Sequence, residues 1–133
     1  MAQTFTKNER LCSLKEINAL VKDGHVLFQY PFRVSYLFKE PQITTESIGA
    51  ENFNKLLVSI PKRNFKRAVH RNLLKRRVKE SYRKNKELLD LPADNTVNIM
   101  LVYVSKDILE YKYIESKIKD ILCKVSKAAA QDS

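Results

Sequence analysis

The sequence predicts an α+β fold: a two-layer sandwich in the order αβββαβα, with helices packed on a small mixed sheet. Three observations carry that expectation. Apolar residues recur at helical spacing in three separate segments, they alternate at strand spacing between the first two, and a nearly unbroken apolar run precedes the last. At 133 residues, 44% of them hydrophobic, the chain suits a single domain over residues 1–133 with one core. Residues 1–6 and 129–133 are expected as flexible ends. Two Gly and four Pro exclude a low-complexity or collagen-like chain.

The first helix is expected over residues 14–23. Ser13 and Glu16 have capping-box spacing, and Leu14, Ile17, Leu20 and Val21 share one face before Gly24 stops the helix. From Val26 to Phe38 the period becomes two, and Pro31 divides the run into a short edge strand and a main strand near residues 32–38. Residues 40–54, with three acids, no base, Pro41 and Gly49, read as a surface loop. Leu56, Leu57, Val58 and Ile60 form the next strand, ended by Pro61. A basic helix follows over about residues 68–88, stopped at Leu91-Pro92. Residues 97–104 read as a strand covered on both faces. The last helix, about residues 109–128, sets Tyr111, Ile114, Ile118, Ile121, Leu122 and Val125 on one stripe.

The net charge is +10, from 25 Lys and Arg against 15 Asp and Glu. It is not spread evenly. Residues 62–86 hold twelve basic residues and one acid, Glu80, while the rest of the chain is close to neutral. Such a cluster focuses positive potential on a polyanion. The longest apolar run, residues 99–104, is far short of the roughly 20 residues of a membrane span, and no secretory signal follows the N-terminal charges. Cys12 and Cys123 have no CxxC or His-rich partner sequence, so two reduced thiols in a soluble cytoplasmic protein are expected.

On a helical wheel, Leu74, Val78, Tyr82 and Leu89 fall within about 80° of one another, a stripe suited to docking on the sheet. Asn72, Lys75, Arg76, Lys79, Arg83 and Lys86 fill the adjoining sector of about 100°. Arg67 and Arg71 project toward the apolar side, at the rim where helix meets sheet. Arg forks grip phosphate with paired hydrogen bonds, Lys adds mobile point charge, and Asn72 can both donate to and accept from a base edge or ribose hydroxyl. A membrane-surface helix is disfavoured, since it would carry bulky apolar residues on the exposed face. Phe28, Phe32, Tyr36 and Phe38 can stack on single-stranded bases, although aromatics at strand spacing more often belong to a core. The acids are scattered, and His25 and His70 have no suggestive companions, so the sequence shows no self-sufficient catalytic site. Composition and spacing alone stop at an RNA- or DNA-binding domain.

Residues 68–83, AVHRNLLKRRVKESYR, resemble the signature helix of the bacterial ribonuclease P protein family. Arg71-Asn72, then Lys75-Arg76, then Lys79-Glu80 and Tyr82-Arg83 carry the likeness. Lys62-Arg63 after a strand, Arg10-Leu11 before the first helix, and the element order also fit. The resemblance implies a protein subunit that assists a catalytic RNA in removing the 5′ leader from precursor tRNA, with Mg²⁺ held alongside the RNA subunit, no catalytic residue in the protein, and a left-handed βαβ crossover. Carried over by position, Arg67, Arg71, Asn72, Lys75, Arg76, Lys79 and Arg83 would contact the catalytic RNA. Ile17, Val21, Phe32, Tyr36, Lys62 and Arg63 would line a cleft for the leader. Ile17 and Val21 stand where the family often has Phe, Lys79 where it usually has Arg, and Tyr103-Val104 where many members have a basic pair. Two other readings remain open on the residues alone. One is a general RNA- or DNA-binding module, such as a ribosome-associated domain. The other is a nuclease with a dispersed site around Asp94 or Glu80.

Overall fold

The computed structural model describes residues 14–39, 54–89, 91 and 96–131. Its elements follow the expected order: α1 (Leu14–Asp23), β1 (His25–Gln29), β2 (Phe32–Lys39), β3 (Lys55–Ser59), α2 (Ala68–Asn85), β4 (Thr96–Tyr103) and α3 (Tyr111–Gln131), with a 3₁₀ turn at Lys86–Leu88. Ser13, Cys12, the expected acidic loop up to residue 53, and Asp94 lie outside the described residues. So do residues 1–6, whose flexibility the sequence suggests.

The sheet order is β1-β2-β4-β3. β2 pairs with β1 and β4 antiparallel, whereas β3 pairs with β4 in parallel. β4 is an inner strand covered on both faces, by the α2 and α3 core on one and by α1 on the other, which explains its nearly continuous apolar sequence. Gly24 lets the chain leave α1 and enter β1 at once. Its N–H donates to the Leu20 carbonyl at 2.9 Å, and a Cβ at this position would stand 2.2 Å from that oxygen.

Cross-strand partners share a face of the sheet, so register sorts the side chains. Phe32, Val34, Tyr36 and Phe38 oppose Tyr103, Leu101, Ile99 and Val97 of β4, and Leu56 and Val58 of β3 join the same face. Leu74, Val78 and Tyr82 of α2 pack there with Ile114, Ile118, Ile121, Leu122 and Val125 of α3. The stripes expected on both helices are therefore the core. Edge-to-face stacking of Phe32 on Tyr103, with ring centroids 5.7 Å apart, closes one end of it.

α1 packs on the opposite face. Its one buried residue is Leu20, and its Glu16 reaches Lys55 and Asn98, which are cross-strand partners on that side. The helices are thus divided between the two faces, two on one and α1 alone on the other.

The last helix differs from expectation at both ends. It begins at Tyr111, because Leu109 is held in the preceding loop: its N–H donates to the Tyr103 hydroxyl and its carbonyl accepts from Arg77. It continues to Gln131, and Ala129 is 7% exposed, so residues 129–131 are helical instead of a loose end.

Leu74 is fully buried at the centre of the α2 stripe. Leu74→Ala is expected to lower unfolding free energy by about 2–5 kcal/mol. Urea unfolding should show an earlier midpoint at unchanged slope, the mark of lost stability with the same surface exposed.

Candidate nucleic-acid interface

α2 carries the cationic sector on the side away from its core stripe. Asn72 and Arg76 are exposed there, and Lys75, Lys79 and Arg83 are half-buried. Val69, 73% exposed, completes this outward face near the helix start. The segment leading into α2 adds Lys62, Arg63, Lys66 and Arg67, all exposed. The side chains of Lys62, Arg63, Lys66, Arg67, Lys75 and Arg76 make no hydrogen bond or ion pair with the described residues, so their charge is available to an outside anion.

Three other arginines have tasks inside the fold. Arg71 donates to the carbonyls of Phe65 and Lys66 at 2.7 and 3.0 Å. Arg71 is among the residues the sequence expects at the RNA, and one nitrogen of its guanidinium fastens the entry loop to the first turn of α2. Arg77 donates to the Leu109 carbonyl at 2.6 Å and ties α2 to the loop before α3. Arg83 binds the Glu80 carboxylate through two nitrogens, with Nε to Oε2 at 3.1 Å and a second, shorter contact from its terminal nitrogen. That hydrogen bond chiefly holds the Glu80 carboxyl below the usual carboxylate range. Glu80 is therefore ionised at neutral pH and offsets part of the charge of Arg83.

A pocket of about 500 Å³ opens between α2 and the start of α3. Arg76, Arg77, Lys79 and Arg83 line it with Glu80 and Tyr111. Lys84 stands 5.9 Å from the centre of the Tyr111 ring, and the Tyr111 hydroxyl donates to Glu115 at 3.1 Å. Burial, then this hydrogen bond to Glu115, pushes the phenol above its ordinary pKa, so Tyr111 is neutral at physiological pH.

The α1 side of the sheet offers a different surface. A two-residue turn, Tyr30-Pro31, pairs odd positions of β1 with even positions of β2. Alternation across the hairpin therefore reverses face: Phe28 opposes Arg33, on the α1 side, while Phe32 opposes Gln29, on the core side. This corrects two of the expected cleft residues. Phe32 is fully buried among α2, α3 and Tyr103, and Tyr36 packs on the core side between His25 and Phe38. The α1-side row at that level is Phe28, Arg33, Val102 and Ser59. Phe28 is 62% exposed and Arg33 is exposed. Arg33 is a residue the linear pattern missed, and the odd sum of paired positions in a two-residue hairpin is the signal that finds it. On α1, Ile17 is half-buried and Val21 is exposed. Lys62 and Arg63 lie in the turn just beyond β3, whose Ser59 belongs to the same row.

One carboxylate holds α1 against the sheet. Glu16 Oε1 accepts from Lys55 Nζ at 2.8 Å, and Oε2 accepts from Asn98 Nδ2 at 2.9 Å. Asn98 is 2% exposed, so losing its acceptor strands a buried donor, at a cost of about 1–3 kcal/mol. Glu16→Ala is expected to speed amide exchange throughout α1 while α2 stays protected, as read by hydrogen–deuterium exchange.

A small α+β scaffold that gathers its charge on one helix is of the nucleic-acid-binding class. The family model for ribonuclease P matches residues 5–126. The ribonuclease P protein component of Porphyromonas gingivalis is 32% identical over 128 residues, covering 92% of this chain and 86% of that protein. That of Thermotoga petrophila is 33% identical over 97 residues, covering 73% and 74%. The chain belongs to the ribonuclease P protein family, whose members are components of the endoribonuclease holoenzyme that matures tRNA 5′ ends. The fold agrees. The ribonuclease P protein of Thermotoga maritima superposes with a TM-score of 0.66 at 21% identity, covering 87% of this chain and 96% of that one. That of Staphylococcus aureus gives 0.65 at 17%, covering 91% and 97%.

Proposed function

We propose that the two surfaces divide the work of the subunit. The cationic face of α2, with Lys66 and Arg67 leading into it, docks on the catalytic RNA. The cleft between α1 and the sheet holds the single-stranded 5′ leader of precursor tRNA. One observation carries this division: partner-free cations line α2 and its entry loop, whereas exposed apolar side chains, Val21 and Phe28, collect on the α1 side. Phosphates along a folded RNA suit the first surface, and unpaired bases, which stack on aromatic rings, suit the second. Lys62 and Arg63 lie between them and take the leader backbone. Asn72 supplies the one neutral donor and acceptor on the docking face.

The chemistry belongs to the RNA subunit and its Mg²⁺ in this reading. Among the described residues no group of three or more His, Cys, Asp or Glu is gathered to hold a metal ion. The protein's part is to raise substrate affinity and to order the RNA. The proposed compartment is the cytoplasm, where precursor tRNA is made. No helix among the described residues is long and apolar enough to cross a membrane.

Reconstitution tests the reading. The protein alone should leave precursor tRNA uncut, and adding its RNA subunit should give cleavage at low Mg²⁺. Equal affinity for precursor, mature tRNA and random duplex would instead favour a general binding module.

The division of surfaces gives two separable phenotypes. If about six phosphates are neutralised, log affinity for the RNA subunit should fall with log salt at a slope of about −4 to −5. Lys75→Ala or Arg76→Ala should each make that slope shallower by about one unit, in filter-binding titrations. Phe28→Ala should weaken binding of precursor with a multi-nucleotide leader by about fivefold or more, and leave mature tRNA unaffected. Phe32→Ala should act differently, lowering stability by about 3–5 kcal/mol because its ring is core.

A further inference from the structure

The pocket between α2 and α3 combines features that the docking role of α2 does not by itself require. A helix that only tracks a phosphate backbone needs an open row of cations. Here the row is walled on one side by an aromatic ring, forming a concavity of about 500 Å³, within the range of about 300–1,000 Å³ typical of small-ligand sites. Tyr111 reaches this place because its loop is anchored twice. Tyr103 binds Leu109 and Asp107, and Arg77 binds the Leu109 carbonyl. The phenol is held in turn by Glu115, which also accepts from Asn85 of α2 at 3.2 Å. The ring is therefore a fixed wall.

The charges within the pocket are unequal. Arg83 is paired with the Glu80 carboxylate and Arg77 donates to a backbone carbonyl, while the Arg76 side chain makes no hydrogen bond or ion pair with the described residues. A ligand with one anionic group and one flat, uncharged, stackable group satisfies both the open cation and the ring. A nucleotide is such a ligand, since phosphate pairs with Arg76 and Lys79 while the base lies against Tyr111. A polyanion of sugars or an acidic peptide would use the cations and leave the ring idle.

We propose that this pocket receives a single nucleotide splayed out of the partner RNA, with its phosphate on Arg76 and Lys79 and its base against Tyr111. This rests on the reading that α2 docks on RNA, and it adds a base-level contact outside the signature helix, on α3.

The test titrates the full chain and its Tyr111→Leu, Tyr111→Phe and Arg76→Ala variants with a transcript of the chain's own ribonuclease P RNA over a salt series. The bases of the complex are probed chemically alongside. Tyr111→Leu keeps an apolar side chain but no π face, and should lose about tenfold in affinity at unchanged salt slope. Tyr111→Phe should stay within about twofold of the parent. One nucleotide should be protected by the parent and become reactive with Tyr111→Leu. The inference is overturned if the parent protects no isolated nucleotide, or if Tyr111→Leu binds like the parent while Arg76→Ala loses affinity; in the latter case the docking reading stands alone. Equal losses for Leu and Phe would assign Tyr111 a structural role through Glu115 and also overturn it. If Arg76→Ala binds like the parent as well, the docking reading fails with it. A parallel titration with adenosine 5′-monophosphate separates the sources. Saturable perturbation of the Tyr111 ring resonances, with RNA affinity unaffected by Tyr111→Leu, would make this a free-nucleotide site and refute the RNA-borne one.

Discussion

The parallel pairing of β3 with β4 is the constraint on which the rest of the structure depends. Parallel neighbours cannot be joined by a tight turn; their connection must travel the length of the sheet and return. Here that connection contains α2. The most highly charged segment of the chain is thereby held at both ends to adjacent strands, with Leu74, Val78 and Tyr82 fixing its rotation. A helix crowded with cations has little reason to fold alone, since like charges at neighbouring turns repel. Its order is imposed by the crossover and the core beneath it.

The same crowding explains where the arginines point. Arg71, Arg77 and Arg83 each find an acceptor supplied by the fold: two loop carbonyls, the Leu109 carbonyl and the Glu80 carboxylate. These contacts commit side chains to fastening the entry loop, the approach to α3 and the helix surface itself, and Glu80 offsets the charge of Arg83. Arg76 and Lys75 are left uncommitted. The excess charge of the sequence thus separates into a part that builds the interface and a part that presents it.

This separation marks how far the sequence could be read. The stripe of α2 was legible because Leu74, Val78 and Tyr82 recur at helical spacing within one element. The apolar run of β4 likewise announced a strand covered on both faces. The face of Phe32 was not legible, because alternation through Val26, Phe28, Tyr30 and Phe32 looks continuous until the turn at Tyr30-Pro31 is known to pair odd with even positions. The duties of Arg71 and Arg77 depend on carbonyls whose directions only tertiary structure sets. Glu16 and Asn98 are 82 positions apart, and no local pattern joins them.

The sheet also relates the two working surfaces. α1 lies on one face and α2 on the other, with the strands between them in contact with both. The route around the edge is the segment from Ile60 to Arg67, which leaves β3 beside the row of Phe28 and Arg33 and arrives at the first turn of α2. It carries Lys62, Arg63, Lys66 and Arg67, and it is pinned by buried Phe65 against Tyr103, with ring centroids 5.8 Å apart, and by Arg71 on its carbonyls. These cations lie on a fixed path from the α1 side of the sheet to α2. A loose loop would give comparable attraction but no fixed geometry. Because Phe65 packs on Tyr103 and Arg71 holds the carbonyls of Phe65 and Lys66, the spacing of these cations between the α1 side of the sheet and α2 is set by the fold itself.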